Sequence, residues 1–119
     1  MGLVMYKIMS FGFKYSRPRD IAVIDVRDMR NPHNNMRLRP LTGKDKAVQE
    51  FVRKDAQYEQ IFDSAAHKLN ETGSLAFGCL GGRHRSVAMA ELLAAYLRSR
   101  GQEVLVIHRE LGRFNSPIS

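Results

Sequence analysis

"SLAFGCLGGRHRSVAMAELLAAYLRSRGQEVLVIHREL", residues 74–111, decides the fold. It opens with a short apolar run, 74–80, and passes through a turn dense in Gly, Arg and His. It then enters a segment, 86–101, that is apolar nearly all round and broken mainly by Glu91. Gly101 ends that segment, and "EVLVIHREL", 103–111, is a second apolar, β-branched run. A short strand, a deeply packed helix and another strand make a βαβ unit with a right-handed crossover.

The flanking chain extends the same pattern. Residues 3–13 and 21–29 read as strands, the second nearly continuous in its apolar run, as a strand buried on both faces is. Helical spacing appears over 44–55 (Val48, Phe51, Val52) and over 57–73 (Tyr58, Ile61, Phe62, Ala65, Leu69), with Gly73 as a stop. Between the second strand and the first helix, residues 30–43 carry two prolines, three asparagines and a glycine. A loop of that length inside a small domain is usually functional. The expectation is an α/β fold: one small domain over 1–119, with its core over about 10–111 and a frayed tail from 112. Its mixed or parallel sheet has roughly four strands, with helices packed on it. In such sheets ligands gather at the carboxyl ends of strands.

Composition narrows the partners. The chain has 119 residues, 44% of them apolar, and 19 Lys plus Arg against 12 Asp plus Glu, a net charge of +7. That excess favours an anionic partner. A single cysteine, Cys79, excludes an intrachain disulfide. The N-terminus lacks the basic n-region and uninterrupted apolar stretch of a signal peptide, and no run approaches a membrane span. A cytoplasmic location is expected. The four histidines have no close pair, so neither a metal nor another cofactor is expected.

The turn at 79–86 carries the chemistry. Gly81 and Gly82 allow close approach of backbone N–H groups to a bound oxygen, and the helix N-terminus adds unsatisfied donors and partial positive charge. Arg83 and Arg85 supply forked donors suited to phosphate, His84 titrates near neutrality, and Ser86 is placed to cap the helix or bond a ligand oxygen. A nucleotide-hydrolysing P-loop is excluded, because "LTGKDK" has Asp45 where Ser or Thr is required and no glycine five residues before Gly43. Cys79, Arg85 and Ser86 fit C-x5-R-[ST], the loop of cysteine-dependent phosphatases, with Gly82 at its usual position and Gly78 in place of the customary His. Each strand also ends near basic or imidazole groups: Lys14 after the first, Arg27 and His33 after the second, His108 and Arg109 at the fourth. One shared anion pocket is the reading that unites them.

In order, "SFGFKY", "DVRDMRNPH", "LRPLTGKD", "GCLGGRHRSVAMAE" and "HREL" resemble the C-terminal domain of the RNase adapter family of RapZ (YvcJ-like) over about Ser10 to Leu111. The resemblance implies a domain that binds a phosphorylated amino sugar or a nucleotide sugar, and small regulatory RNA. It covers none of the family's P-loop NTPase half, so nucleotide hydrolysis is not carried over. It points to Lys14, Arg27, His33, Thr42, Gly43, the run Gly81, Gly82, Arg83, His84, Arg85 and Ser86, and His108 and Arg109 as ligand-binding residues. The favoured expectation is therefore a non-enzymatic binding module for a phosphorylated small molecule, with RNA on its wider basic surface and a homo-oligomeric assembly. Two alternatives stand beside it. One is a phosphatase using Cys79, Arg85 and Ser86, and the other is an interaction module that competes with a full-length adapter.

Overall fold

A computed structural model describes residues 5–114. Four strands form one sheet: β1 (Met5–Gly12), β2 (Val23–Asp25), β3 (Ser74–Cys79) and β4 (Glu103–His108), in the order β2-β3-β1-β4. Every pairing is parallel, with Gly12 opposite Cys79, Ser10 opposite His108 and Asp25 opposite Gly78. The helices are α1 (Lys46–Arg53), α2 (Tyr58–Thr72), α3 (Arg85–Ser99) and a short α4 (Leu111–Phe114). No helix among the described residues is long and apolar enough to cross a membrane.

Strand alternation decides which side chains meet the helices. Ile8 of β1 and Leu75, Phe77 and Cys79 of β3 lie in one cluster with Val48 and Val52 of α1, Leu69 of α2, and Met89 and Leu93 of α3. The run Arg85–Ala90 is buried throughout, as its nearly all-round apolar composition requires. On the opposite face Phe11 and Phe13 stack edge to face, 4.8 Å apart, over Gly78. A Cβ at Gly78 would sit 2.4 Å from the Phe11 ring, which is why glycine stands before Cys79.

Three boundaries depart from the sequence reading. The strand expected over 21–29 shrinks to Val23–Asp25, because Asp25 turns its carboxylate onto the Arg27 N–H (2.9 Å) and folds the chain. The last strand stops at His108 instead of running to 111, and Leu111–Phe114 form α4; the rest of the expected tail, 115–119, lies outside the described residues. The first helix begins at Lys46 instead of Lys44, since Asp45 accepts the Thr42 N–H at 2.8 Å and closes a turn before it. Gly73 ends α2 as read, with φ +79° and its N–H on the Leu69 carbonyl.

Candidate functional site

A cleft of about 430 Å³ opens at the carboxyl ends of β1 and β3. Cys79, Leu80 and Gly81 come from the end of β3, Lys14 from the chain beyond β1, and Asn31, His33 and Arg39 from the long loop. Arg83, His84 and Arg85 complete the wall at the start of α3. Four Lys or Arg side chains and two imidazoles thus face one volume, and among the described residues no carboxylate lines it.

The three basic residues of the turn have a task that the sequence did not reveal: they hold the long loop over the helix N-terminus. Arg83 donates to the carbonyls of Leu41 (3.0 Å) and Pro40 (2.7 Å). His84 lies 3.1 Å from the Leu38 carbonyl, which only accepts, so Nε2 carries the hydrogen. Arg85 donates Nη1 to the carbonyls of Arg27 (2.7 Å) and Met29 (3.0 Å). Cations clustered at a helix N-terminus are tolerated here because carbonyl dipoles face them. Within the loop itself, Arg39 donates Nε to the His33 carbonyl at 2.8 Å.

One donor is left over. Arg85 is 6% exposed, yet its buried Nε meets no acceptor among the described residues. Buried polar atoms without partners are rare, and this one belongs to a residue of the cleft wall.

Of the residues read from the sequence as ligand-binding, the cleft gathers Lys14, His33, Gly81, Arg83, His84 and Arg85. Arg27 is turned away, its guanidinium on Asp25 (2.7 Å) and over the Phe13 ring (3.9 Å); only its carbonyl reaches the site, by way of Arg85. Arg109 lies against Glu110 and donates to the Ser16 carbonyl. His108 sits between Ser10 (2.7 Å) and Glu91 (2.6 Å), and that contact holds the Glu91 carboxyl below its ordinary value. Both sit at the end of β4, which lies beyond β1 from β3, so the strand order carries them away from the cleft. The single pocket expected at four strand ends is therefore built from fewer.

The remaining expected residues stand behind the wall. Ser86 neither caps the helix nor faces the cleft: it is fully buried in the first turn, with Oγ 3.2 Å from Cys79 Sγ. Gly82 takes φ +72° and donates its N–H to that sulfur at 3.2 Å, so this amide is not free for a ligand. Thr42 accepts the Lys44 N–H, and Gly43 donates to the Arg83 carbonyl at 3.0 Å. Behind the glycine turn, Glu110 is fully buried and accepts the Gly12 N–H at 3.0 Å. Burial pushes its carboxyl up, but Gly12, Arg113 and Arg109 outweigh burial and hold it below its ordinary value. Asn31, Arg39 and Glu110 were not singled out from the sequence. Only membership of the long loop hinted at the first two.

His84 gives the site a pH signature. Burial, helped by the neighbouring Arg83 charge, pushes the imidazole below its ordinary 6.5, although the Leu38 carbonyl acts the other way. Below pH 6.5 the unfolded chain takes up a proton that the folded ring resists, so stability falls as pH drops and levels off beneath the folded value. Melting temperature measured from about pH 7.5 to about 5.5 should decline, and His84→Gln, which keeps a donor for Leu38, should flatten that decline. An unchanged slope in the variant would show that other groups carry it.

Fold and cleft together define a small parallel α/β domain with a cationic cleft at the carboxyl ends of its strands. The chain belongs to the RapZ C-terminal domain family, whose pattern it matches over residues 4–112. It is 44% identical over 118 residues to a protein of Thermobifida fusca named nucleotide-binding protein, covering 89% of this chain and 40% of that one. A protein of the same name from Novosphingobium aromaticivorans is 44% identical over 117 residues, 87% of this chain and 38% of its own length. Another, from Glaesserella parasuis, is 40% identical over 116 residues, 87% and 41% of the two chains. The chain thus spans about two fifths of these relatives.

Proposed function

We propose that the domain binds a small molecule through its phosphate group, an amino-sugar phosphate or a nucleotide sugar, with the phosphate seated against Arg85. The observation that carries this reading is the buried Arg85 Nε, unpartnered among the described residues and part of a residue in the wall of a cleft lined by cations. Lys14 and Arg39 are placed to neutralise further phosphate charge, and His33, an exposed ring at the rim, to meet hydroxyl or amino groups of a sugar. The relatives' name, nucleotide-binding protein, agrees with a phosphate-bearing ligand.

RNA is a secondary partner in this reading. The basic face of α1 is partly neutralised, since Arg53 pairs with Glu50 at 3.1 Å. RNA held there would bind by its phosphates and weaken steeply with salt.

Glucosamine 6-phosphate and a uridine diphosphate sugar, each titrated against thermal unfolding, test the proposal. A ligand at about 100 times its dissociation constant adds roughly 2.7 kcal/mol, a shift of roughly 10 °C in a domain of this size. The same sugars without phosphate should leave the melting temperature unmoved. Equal shifts with and without phosphate, or none with either, would defeat the reading.

A further inference from the structure

Anion binding leaves one arrangement unused: the sulfur of Cys79 and the two groups that face it. We propose that the cleft transfers the phosphoryl group it holds, with Cys79 as nucleophile and a phosphate monoester as substrate class; this rests on the phosphate-binding reading above.

Cys79 ends β3 at the floor of the cleft. Its sulfur accepts the Gly82 N–H at 3.2 Å and lies 3.2 Å from Ser86 Oγ. The serine hydroxyl can rotate, accepting from the thiol or donating to a thiolate, so two donors stand ready for an anionic sulfur. Neither contact is needed by a cysteine that merely fills apolar space. The amide is aimed by construction. Gly82 has φ +72°, and a Cβ there would fall 2.5 Å from Glu110 Cγ and 2.6 Å from the Gly12 nitrogen, so the turn is pressed into place from behind.

An independent observation comes from Arg85, six residues along and in the wall of the same cleft. Its Nη1 is anchored on two carbonyls, which fixes the guanidinium plane, and its buried Nε lacks an acceptor. A phosphoryl oxygen on that nitrogen would sit beside the sulfur's cleft. Only 2% of Cys79 is exposed, so attack requires a phosphorus seated at the floor.

The step balances without a redox partner. The Cys79 thiolate attacks phosphorus; the S–P bond forms as the ester P–O bond breaks, and the leaving oxygen departs with the electron pair. The leaving oxygen takes its proton from solvent at the open mouth of the cleft. Water then attacks the phosphocysteine, its proton passes to solvent, and inorganic phosphate leaves as the thiolate is restored.

The test follows hydrolysis of 4-nitrophenyl phosphate by the 119-residue chain, alongside thermal stabilisation by inorganic phosphate. Release of nitrophenolate should fall by about 1,000-fold or more in Cys79→Ser while phosphate still stabilises that variant. Mass spectrometry of acid-quenched wild-type protein should find the phosphoryl group on Cys79, a readout that holds even where the serine variant misfolds. Phosphate stabilisation without turnover would end the transfer proposal and leave the binding reading standing. Turnover undiminished in Cys79→Ser, or phosphoryl adducts elsewhere, would also overturn it. If phosphate and sugar phosphates alike fail to stabilise the wild type, both readings fall.

Discussion

Gly43→Ala should cost about 4 kcal/mol, or roughly 20 °C in melting temperature, the largest loss expected from any single methyl group in this chain. The site is a contact of backbone on backbone. A Cβ at position 43 would lie 2.1 Å from the Ala88 nitrogen, 2.5 Å from the His84 carbonyl oxygen and 2.7 Å from the Val87 carbonyl carbon. None of these atoms ends a flexible side chain, so relief means moving the long loop off the first turn of α3. That movement would break the Gly43 N–H bond to the Arg83 carbonyl and the bond from Gln49 Nε2 to the Gly43 carbonyl. It would also drag on the ties that Arg83 and His84 make to carbonyls two to five residues earlier. Gly112→Ala is the control: nothing lies within 4 Å of its Cβ position, which is in α4 and not at positive φ, so the change should be neutral or slightly stabilising. Denaturant unfolding of the two variants gives the comparison. Similar stability in both would mean that the loop does not pack against α3 as described.

Arg85→Ala and Arg85→Lys should separate the two roles of one side chain. The alanine variant strands the Arg27 and Met29 carbonyls and should lose about 3 kcal/mol of stability, along with measurable phosphate binding. Lysine keeps the charge but has a single nitrogen, which can serve the carbonyls or the cleft and not both. Its stability should therefore lie nearer the wild type, while phosphate affinity falls by roughly 10- to 100-fold. Titration calorimetry with inorganic phosphate, read beside unfolding curves, resolves the two effects. Full affinity in the lysine variant would show that charge alone suffices and that the unpartnered Nε has no part in binding.

Much of the architecture was legible in local pattern. The apolar runs at 74–79 and 103–108 with a helix between them require parallel strands and a crossover, and both are present. Gly73 stops α2 as read, because its left-handed conformation is one that a side chain resists. Strand ends were less legible. Asp25 and Glu110 each turn the chain or brace it through a carboxylate bond to a backbone N–H, a choice that an apolar run does not record.

The cleft divides in the same way. That a strand–turn–helix rich in Gly and Arg would line a site could be read from residues 79–86 alone. Which cations converge there could not. Arg27 and Arg109 look equivalent to Arg85 in the sequence, yet each is claimed by a neighbouring carboxylate, Asp25 or Glu110. The long loop hid its contribution too: Asn31 and Arg39 reach the cleft because Arg83, His84 and Arg85 pull the loop over the helix.

From sequence alone, then, come the α/β plan, the helix stops and the position of the glycine turn, since each follows from periodicity or from a conformation only glycine adopts readily. Tertiary structure decided how the donors are shared. The carbonyls that engage Arg83 and Arg85 lie 42 to 58 residues away along the chain, and only the crossing of the long loop over α3 brings them within reach. A hydrogen bond forms with whatever acceptor is near in space, so the Nε left without one emerges only when the whole domain has closed.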